Sequence, residues 1–232
     1  MMLVDLHAHT SGMSPCCEAP AEVIVKKARE AEIDALLLTN HYCKNYITTD
    51  PLDYAKKYIE EYRYTRECGK RVGIEVYFGI EVTMEKEDYA HLVAIGVDEG
   101  FPLMHPEMYD YTKSELLAAV HEVGGILIQA HPYRRGNRPI FDDLDGAEAS
   151  CHPLYCGTHI DELIPALCAS KKILTVGGDY HHDTRRTSCG VYLPRDIKTS
   201  LDIANYLKTA RYVKYRIEEP ESTERLELEY SR

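Results

Sequence analysis

The chain has 232 residues, a length that suits a single α/β barrel and is enough to bury a full core. Its net charge is −11, from 38 acidic against 27 basic residues, which argues against general affinity for long nucleic acid or an anionic membrane. No apolar run approaches the roughly 20 residues that a membrane-spanning helix needs.

The predicted elements begin almost at once. Val4-Asp5-Leu6-His7-Ala8-His9-Thr10 alternates apolar and polar residues as a half-buried strand does, and side chains two apart on a strand share a face. His7 and His9 are therefore expected to aim at one point, a good start to a metal site. No signal peptide is expected, because the apolar start reaches Asp5 and His7 at once. After a loop rich in Ser, Gly, Pro and Cys, Pro20 opens a helix through about Ala31. Ala35 to Thr39 is a short apolar run that reads as a strand buried on both faces, and it ends at Asn40-His41.

Pro51 to Cys68 is the next helix, with Tyr54, Tyr58, Tyr62 and Thr65 near helical spacing and Gly69 as its stop. Val76 to Ile80 is a third strand, ending at Glu81. Leu92 to Gly96 is a fourth, entered through His91. Thr112-Lys113-Ser114-Glu115 is a capping box for a helix to Val123, stopped by Gly124-Gly125. Ile126 to Ala130 is a strand ending at His131-Pro132. Ala147-Glu148-Ala149 is a short strand before Cys151-His152-Pro153, followed by a helix over about 159–170. Ile173 to Gly177 is a strand leading into Gly178-Asp179-Tyr180-His181. A last helix spans about 200–209, and the charged segment beyond Pro220 reads as a C-terminal strand or tail over the surface.

Strand and helix alternate throughout, which predicts a parallel sheet with right-handed crossovers. The chain reads as one domain over 1–232, without linker, repeat or low-complexity block. The cysteines at 16, 17, 43, 68, 151, 156, 168 and 189 form no Cys-x-x-Cys pair and no compact disulfide framework, so they are expected to be reduced, in a cytoplasmic protein.

The polar residues fall in a pattern. His41, Glu81, His131, Asp179 and His181 each follow an apolar strand, and in a parallel barrel the C-terminal strand ends form the rim that carries the chemistry. His91 enters its strand from the other end, and a hairpin with the preceding strand brings it back to Glu81. Asp179-x-His181 repeats the spacing of His7-x-His9. Together these residues supply six imidazoles and two carboxylates, more than one ion needs and about enough for two or three when Glu81 bridges a pair. His105, His121, His159 and His182 are read as bystanders.

With these residues in place, the sequence resembles the PHP (polymerase and histidinol phosphatase) family of metal-dependent phosphoesterases. The matching segments are Asp5-Leu6-His7-Ala8-His9-Thr10, Leu38-Thr39-Asn40-His41, Gly79-Ile80-Glu81, His91-Leu92, Ala130-His131-Pro132 and Gly178-Asp179-Tyr180-His181, in the family's order, within residues 3–190. The resemblance implies a distorted TIM-like (β/α)7 barrel with two or three divalent ions (Zn, Mn or Fe) at its rim. It places one ion on His7, His9, Glu81 and Asp179, and a second on Glu81, His91 and His131. A third falls to His41, His181 and a group from the loop after the first strand. Glu81, Asp179 and His131 are then the centre of catalysis.

Two departures fall on the third position. The family usually has Asp where this chain has Asn40, an amide that could orient His41 without adding charge. The loop after His9 often supplies Asp or His, and here offers Ser14, Cys16, Cys17 or Glu18. Cys16 is the preferred extra ligand, because a metal binds a nearby thiol as thiolate. Arg134 and Arg135, after His131-Pro132, and Arg185 and Arg186, after the Asp179 motif, are candidates to hold phosphate through planar forks of donors.

The expected activity is hydrolysis of a small phosphorylated metabolite, most simply a monoester, through a metal-activated water. Three rivals stand beside it: an amidohydrolase-type enzyme, a nuclease or phosphodiesterase of the same family, and a non-catalytic metal-stabilised binding module. In the amidohydrolases a modified lysine often stands where this chain has Glu81. Specificity is expected in the loops 42–50, 100–111 and 133–145.

Overall fold

The computed structural model describes residues 1–87, 89–153, 157–182, 186–219 and 224–232. The chain begins with β1 (Met2–Ala8), α1 (Ala21–Glu30), β2 (Ala35–Leu38), a two-residue β3 (His41–Tyr42), α2 (Pro51–Val72), β4 (Glu75–Met84) and β5 (Ala90–Ile95). It continues through α3 (Phe101–Met104), α4 (Lys113–Glu122), β6 (Ile126–Gln129), β7 (Gly146–Ser150), α5 (Ile160–Ser170) and β8 (Ile173–Gly177). It closes with β9 (Gly190–Leu193), α6 (Ser200–Thr209), β10 (Val213–Glu218) and β11 (Arg225–Tyr230).

The strands form one sheet in the order β11-β10-β9-β1-β2-β4-β5-β6-β7-β8, with β3 paired to β4 off that path. A parallel bridge between Ala8 and Tyr180 brings the end of β8 back against β1, so the sheet curls into a nearly closed, distorted TIM-like barrel. The pairing is less uniform than alternation of strand and helix predicts. β1, β2 and β4 run parallel, as do β6, β7 and β8, but β5 is antiparallel to both β4 and β6. The physical reason is the short link from Met84 to Ala90, which has no room for a crossover helix and can only turn back as a hairpin. That hairpin pairs Thr83 with His91 and returns His91 to the Glu81 end of the sheet.

Of the two readings of the C-terminal segment, strand or tail, the structure shows the strand: β10 pairs antiparallel with β9, and β11 with β10, extending the sheet beyond β1. Arg-Leu-Glu-Leu-Glu-Tyr alternates over residues 225–230, so the strand period was present in a stretch dominated by its charge.

The helices follow their local chemistry. Thr112 and Glu115 form both bonds of the capping box on α4, and Thr199 with Asp202 does the same on α6. α2 runs four residues past the expected stop and ends at Gly73, which takes the left-handed conformation at φ 74°. Gly69 lies inside the helix instead, where a Cβ would run into the carbonyl of Ile74 and the side chain of Val76.

β1 carries the feature that matters most for function. Its register against β2 shifts between Asp5 and Ala8. Val4 packs with Leu37 and Tyr77 in one apolar cluster, whereas Ala8, of the same parity, packs with Leu38 and Phe78 in the other. The bulge re-aims the strand end, as bulges beside active sites do, and turns His7 and His9 toward Glu81.

Candidate metal centre

The strand ends bring the polar residues of the motifs to one place. His7 comes from β1, with His9 just past its end; His41 opens β3, Glu81 lies within β4 and His91 within β5. His131 follows β6, and Asp179 and His181 follow β8. All are buried except His91, which is partly so. Two of them sit on left-handed backbone, His131 at φ 30° and Asp179 at φ 46°. Non-glycine residues rarely adopt that region, and such strain gathers at functional sites.

The distances are those of a coordination cage. His7 Nε2 lies 3.3 Å from Glu81 Oε1 and 3.4 Å from Asp179 Oδ1. His9 Nε2 lies 3.4 Å from Glu81 Oε2 and 3.0 Å from Asp179 Oδ1. Glu81 Oε1 also meets His91 Nδ1 at 3.0 Å and His131 Nε2 at 3.4 Å, and its Oε2 meets His41 Nδ1 at 2.7 Å. Yet His7 Nε2, His9 Nε2, His41 Nδ1 and Glu81 Oε2 are buried without a hydrogen-bond partner. Buried polar atoms left unpaired are rare, and four of them pointing into one volume call for a ligand. Donors about 2.0–2.2 Å from a tetrahedral ion stand roughly 3.3–3.6 Å apart, close to most of these separations. The residues present fit divalent cations.

Four overlapping groups of donors, each within 4.8 Å, could hold an ion: His7/His9/Asp179, His41/Glu81/His91, His9/His41/His181 and His152/Asp179/His181. His41 therefore reaches toward the second position as well as the third. The Cys16 thiol faces the imidazoles of His181 and His41; burial works to raise its pKa, but bonds to those rings bring it down to about 6. Cys17 is turned away: its Sγ lies 3.5 Å from the Ala19 carbonyl, and burial pushes its thiol up to about 12.

The electrostatics follow from six imidazoles packed around two carboxylates. Burial opposes ionisation of Glu81, but His41, His7 and His91 hold its pKa well below the usual range. Burial likewise acts on Asp179, where His7, His181 and His9 win. His9 goes the other way: burial, then the neighbouring His181 and His41, keep it neutral. A neutral imidazole is the form that binds a metal.

Supporting bonds fix the cage from outside. Asp5 accepts the N–H groups of His7 and Gly178, at 3.0 and 2.9 Å. The Asn40 side chain bonds to Thr10 and Ser14 rather than to the His41 ring. Its Oδ1 accepts from Thr10 N at 2.8 Å and Ser14 Oγ at 2.9 Å, so the amide braces the loop after β1. Ser14 Oγ in turn lies 3.2 Å from His9 Nδ1 and accepts the His41 N–H at 3.0 Å. From α2, Tyr58 donates to the Asn40 carbonyl at 2.7 Å and Tyr54 to the His41 carbonyl at 3.0 Å.

The arginine expectations divide. Arg134 and Arg135 line an open cavity of about 900 Å³ over the cage, together with Asn137, Tyr46, Tyr89 and His182. Arg185 lies outside the described residues. Arg186 does not face the cavity: it is buried, donates to Asp5 and stacks on Tyr180 at 4.9 Å. The Asp5 carboxylate behind the cage captures it, because a buried charge must be paired. Arg186→Met should therefore lower the urea-unfolding stability of the metal-free protein by about 3–5 kcal/mol, the cost of breaking a buried pair. Arg134→Met, on the exposed rim, should leave that stability within about 0.5 kcal/mol of the parent.

Sequence reasoning passed over three residues. Glu148 is buried against His7; its only signal was a carboxylate between two alanines on a strand. His152 follows β7 at the rim as His131 follows β6, lines the cavity, and is lowered to about 4, chiefly by burial. His182, read as a bystander, also lines the cavity.

Comparison with known proteins agrees with this geometry. The PHP domain family matches residues 5–136, more than half of the chain. Phosphoribosyl 1,2-cyclic phosphate 1,2-diphosphodiesterase of Eggerthella lenta is 32% identical over 106 residues, 44% of this chain and 34% of that protein, so the match spans about a third of the relative's length. Among solved structures, a two-domain Bacteroides vulgatus protein containing a predicted PHP-like metal-dependent phosphoesterase superposes with TM-score 0.68 at 15% identity, over 93% of this chain and 64% of that one. PsfC from Pseudomonas syringae gives 0.61 at 16% identity, over 88% and 87%. An amidohydrolase from Chromobacterium violaceum with bound sulfate gives 0.57 at 14%, over 87% and 95%. At such identities these structures speak for the fold alone. Among the described residues no helix is long and apolar enough to cross a membrane. With the barrel, the motif residues at its rim and the match over more than half its length, the chain belongs to the PHP domain family.

Proposed function

We propose that the protein is a metal-dependent phosphoesterase acting on a small phosphorylated metabolite, most simply a monoester. The observation that carries this is the group of four unpaired, buried donor atoms on His7, His9, His41 and Glu81 beneath a cavity edged by arginines. His7, His9, Glu81 and Asp179 would hold one divalent ion, and Glu81, His91 and His131 a second. Cys16, His41 and His181 would hold a third. Bound ions of this kind supply a nucleophilic water and Lewis acidity for an in-line displacement at phosphorus.

The protein's own groups do the rest. Arg134 and Arg135 bind and orient the anionic substrate through guanidinium forks. Tyr46 and Tyr89 also line the cavity, where a ring of the substrate would pack. The open mouth admits a small molecule, and the acidic surface gives no track for long nucleic acid. Zinc, manganese and iron all suit this donor set, and the thiol of Cys16 favours zinc at the third position.

A second reading is favoured by the Eggerthella relative, whose name specifies a cyclic phosphodiester. Both are tested together. Exhaustive chelation should abolish hydrolysis of an aryl phosphate monoester, and Mn²⁺ or Zn²⁺ should restore it. A screen of the reloaded protein against monoesters, cyclic phosphates, diesters and, as a control for C–N and C–O hydrolysis, amides and lactones then ranks the substrates. Full activity in metal-free protein would sink the proposal; turnover of cyclic phosphates alone would replace the monoester by a diester. Metal-loaded protein silent on every phosphoester would leave a binding module.

A further inference from the structure

β7 lies between β6 and β8 in the sheet and contributes no donor to the ion positions proposed above. It does contribute Glu148, a carboxylate only 3% exposed. A charge so buried needs donors, and both of those it finds belong to residues of the cage. Its Oε1 and Oε2 lie 2.9 and 3.0 Å from His7 Nδ1, and Oε2 accepts the backbone N–H of His131 at 3.2 Å.

Each bond has a consequence. A carboxylate can only accept, so His7 Nδ1 must carry a proton, and Nε2, which faces Glu81 and Asp179, is the nitrogen that would lend its lone pair to an ion. The second bond restrains His131, whose φ of 30° would otherwise relax. The two residues come from different strands and serve different ion positions, so one carboxylate fixes the spacing between them. A glycine makes the approach possible. A Cβ at Gly177 would collide with both Glu148 Oε1 and His7 Cβ.

We infer that Glu148 is a positioning residue, which sets the tautomer of His7 and the separation of His7 from His131, and thereby couples the affinities of the first and second ions. This rests on the metal-centre reading above. Nothing in the motif pattern of the chain marks the residue.

The test compares Glu148→Gln and Glu148→Asp with the parent, each as the full chain. Glutamine keeps the volume but loses the charge, and in place of one oxygen it turns an NH₂ donor toward a ring nitrogen that must itself donate. Aspartate keeps the charge and draws it back by one methylene. Zn²⁺ affinity is read by competition with a chromophoric chelator, metal-free stability by urea unfolding, and the His7 tautomer by the ¹⁵N shifts of its ring in the zinc-loaded protein. Glu148→Gln should weaken the two tighter ions together by about 10–100-fold and move the His7 Nδ1 shift. Glu148→Asp should fall between Gln and the parent, and it decides the matter if the glutamine variant does not fold. Parent-like affinities and His7 shifts in the variants, with only the unfolding midpoint lowered, would overturn the inference and leave a merely structural carboxylate. A parent chain that takes up no divalent ion would overturn the metal reading itself, and this inference with it.

Discussion

Glu81→Gln should remove more than one ion per chain and lower hydrolysis by more than about 100-fold. That exceeds the roughly 10–100-fold expected when only a partner behind a ligand is lost. Each oxygen of Glu81 has its own neighbours: Oε1 meets His7, His91 and His131, and Oε2 meets His9 and His41. The carboxylate therefore sits between the donors of all the proposed ions. An amide of the same size has one oxygen, and its NH₂ would point a donor at imidazole nitrogens that have none to spare. The charge matters as much as the shape, because Glu81 stays ionised against burial only through the histidines around it. Metal content by emission spectrometry and single-turnover rates on the same sample check both halves. A variant with full stoichiometry would exclude a bridging role, whatever its activity.

The second large effect concerns the third ion. Cys16→Ser should abolish the near-ultraviolet sulfur-to-metal charge-transfer band of the cobalt-loaded protein and release the weakest ion, while Cys17→Ser leaves both unchanged. Two adjacent thiols make an internal comparison, because the fold treats them oppositely. Cys16 faces His41 and His181 in the cavity, whereas Cys17 is buried against the Ala19 carbonyl. A soft thiolate beside two imidazoles selects zinc over manganese. His41→Ala and His181→Ala should loosen the same ion as Cys16→Ser. Cobalt-loaded parent protein without the band, or a band that survives Cys16→Ser, would show that solvent or phosphate completes the position.

Much of this arrangement was legible before any coordinates, for a physical reason. Donors placed at strand ends are punctuated by the apolar runs before them, so His41, Glu81, His131 and Asp179 could be read as rim residues from the edges of hydrophobic segments. His91 required one further step, the hairpin forced by a short link. What the sequence hides is whatever depends on approach between distant strands. Glu148 belongs to β7 by period but gains its role from His7, far away in the chain. Arg186 sits beside a motif, where phosphate is its expected partner, but the charge that takes it is Asp5, distant in the sequence. Asn40 looked like a partner for its neighbour His41 and serves Thr10 and Ser14 instead. The bulge in β1 was also invisible, because a register shift is a property of two strands and one strand's alternation cannot report it.

The position of β1 in the sheet has a consequence for the order of assembly. Its neighbours are β2, close in sequence, and β9, whose residues Gly190–Leu193 are among the last quarter of the chain. Bonds such as Gly178 N to Asp5 Oδ1 span 173 residues. Contacts of that range form slowly, since the entropy of closing a long loop is lost before any attraction is gained. His7 and His9 are therefore made well before Asp179 and His181 and meet them only when the sheet closes. A cation arriving before the last strands have joined finds only a pair of imidazoles and holds on weakly. Loading would thus be a late event that recognises the finished topology.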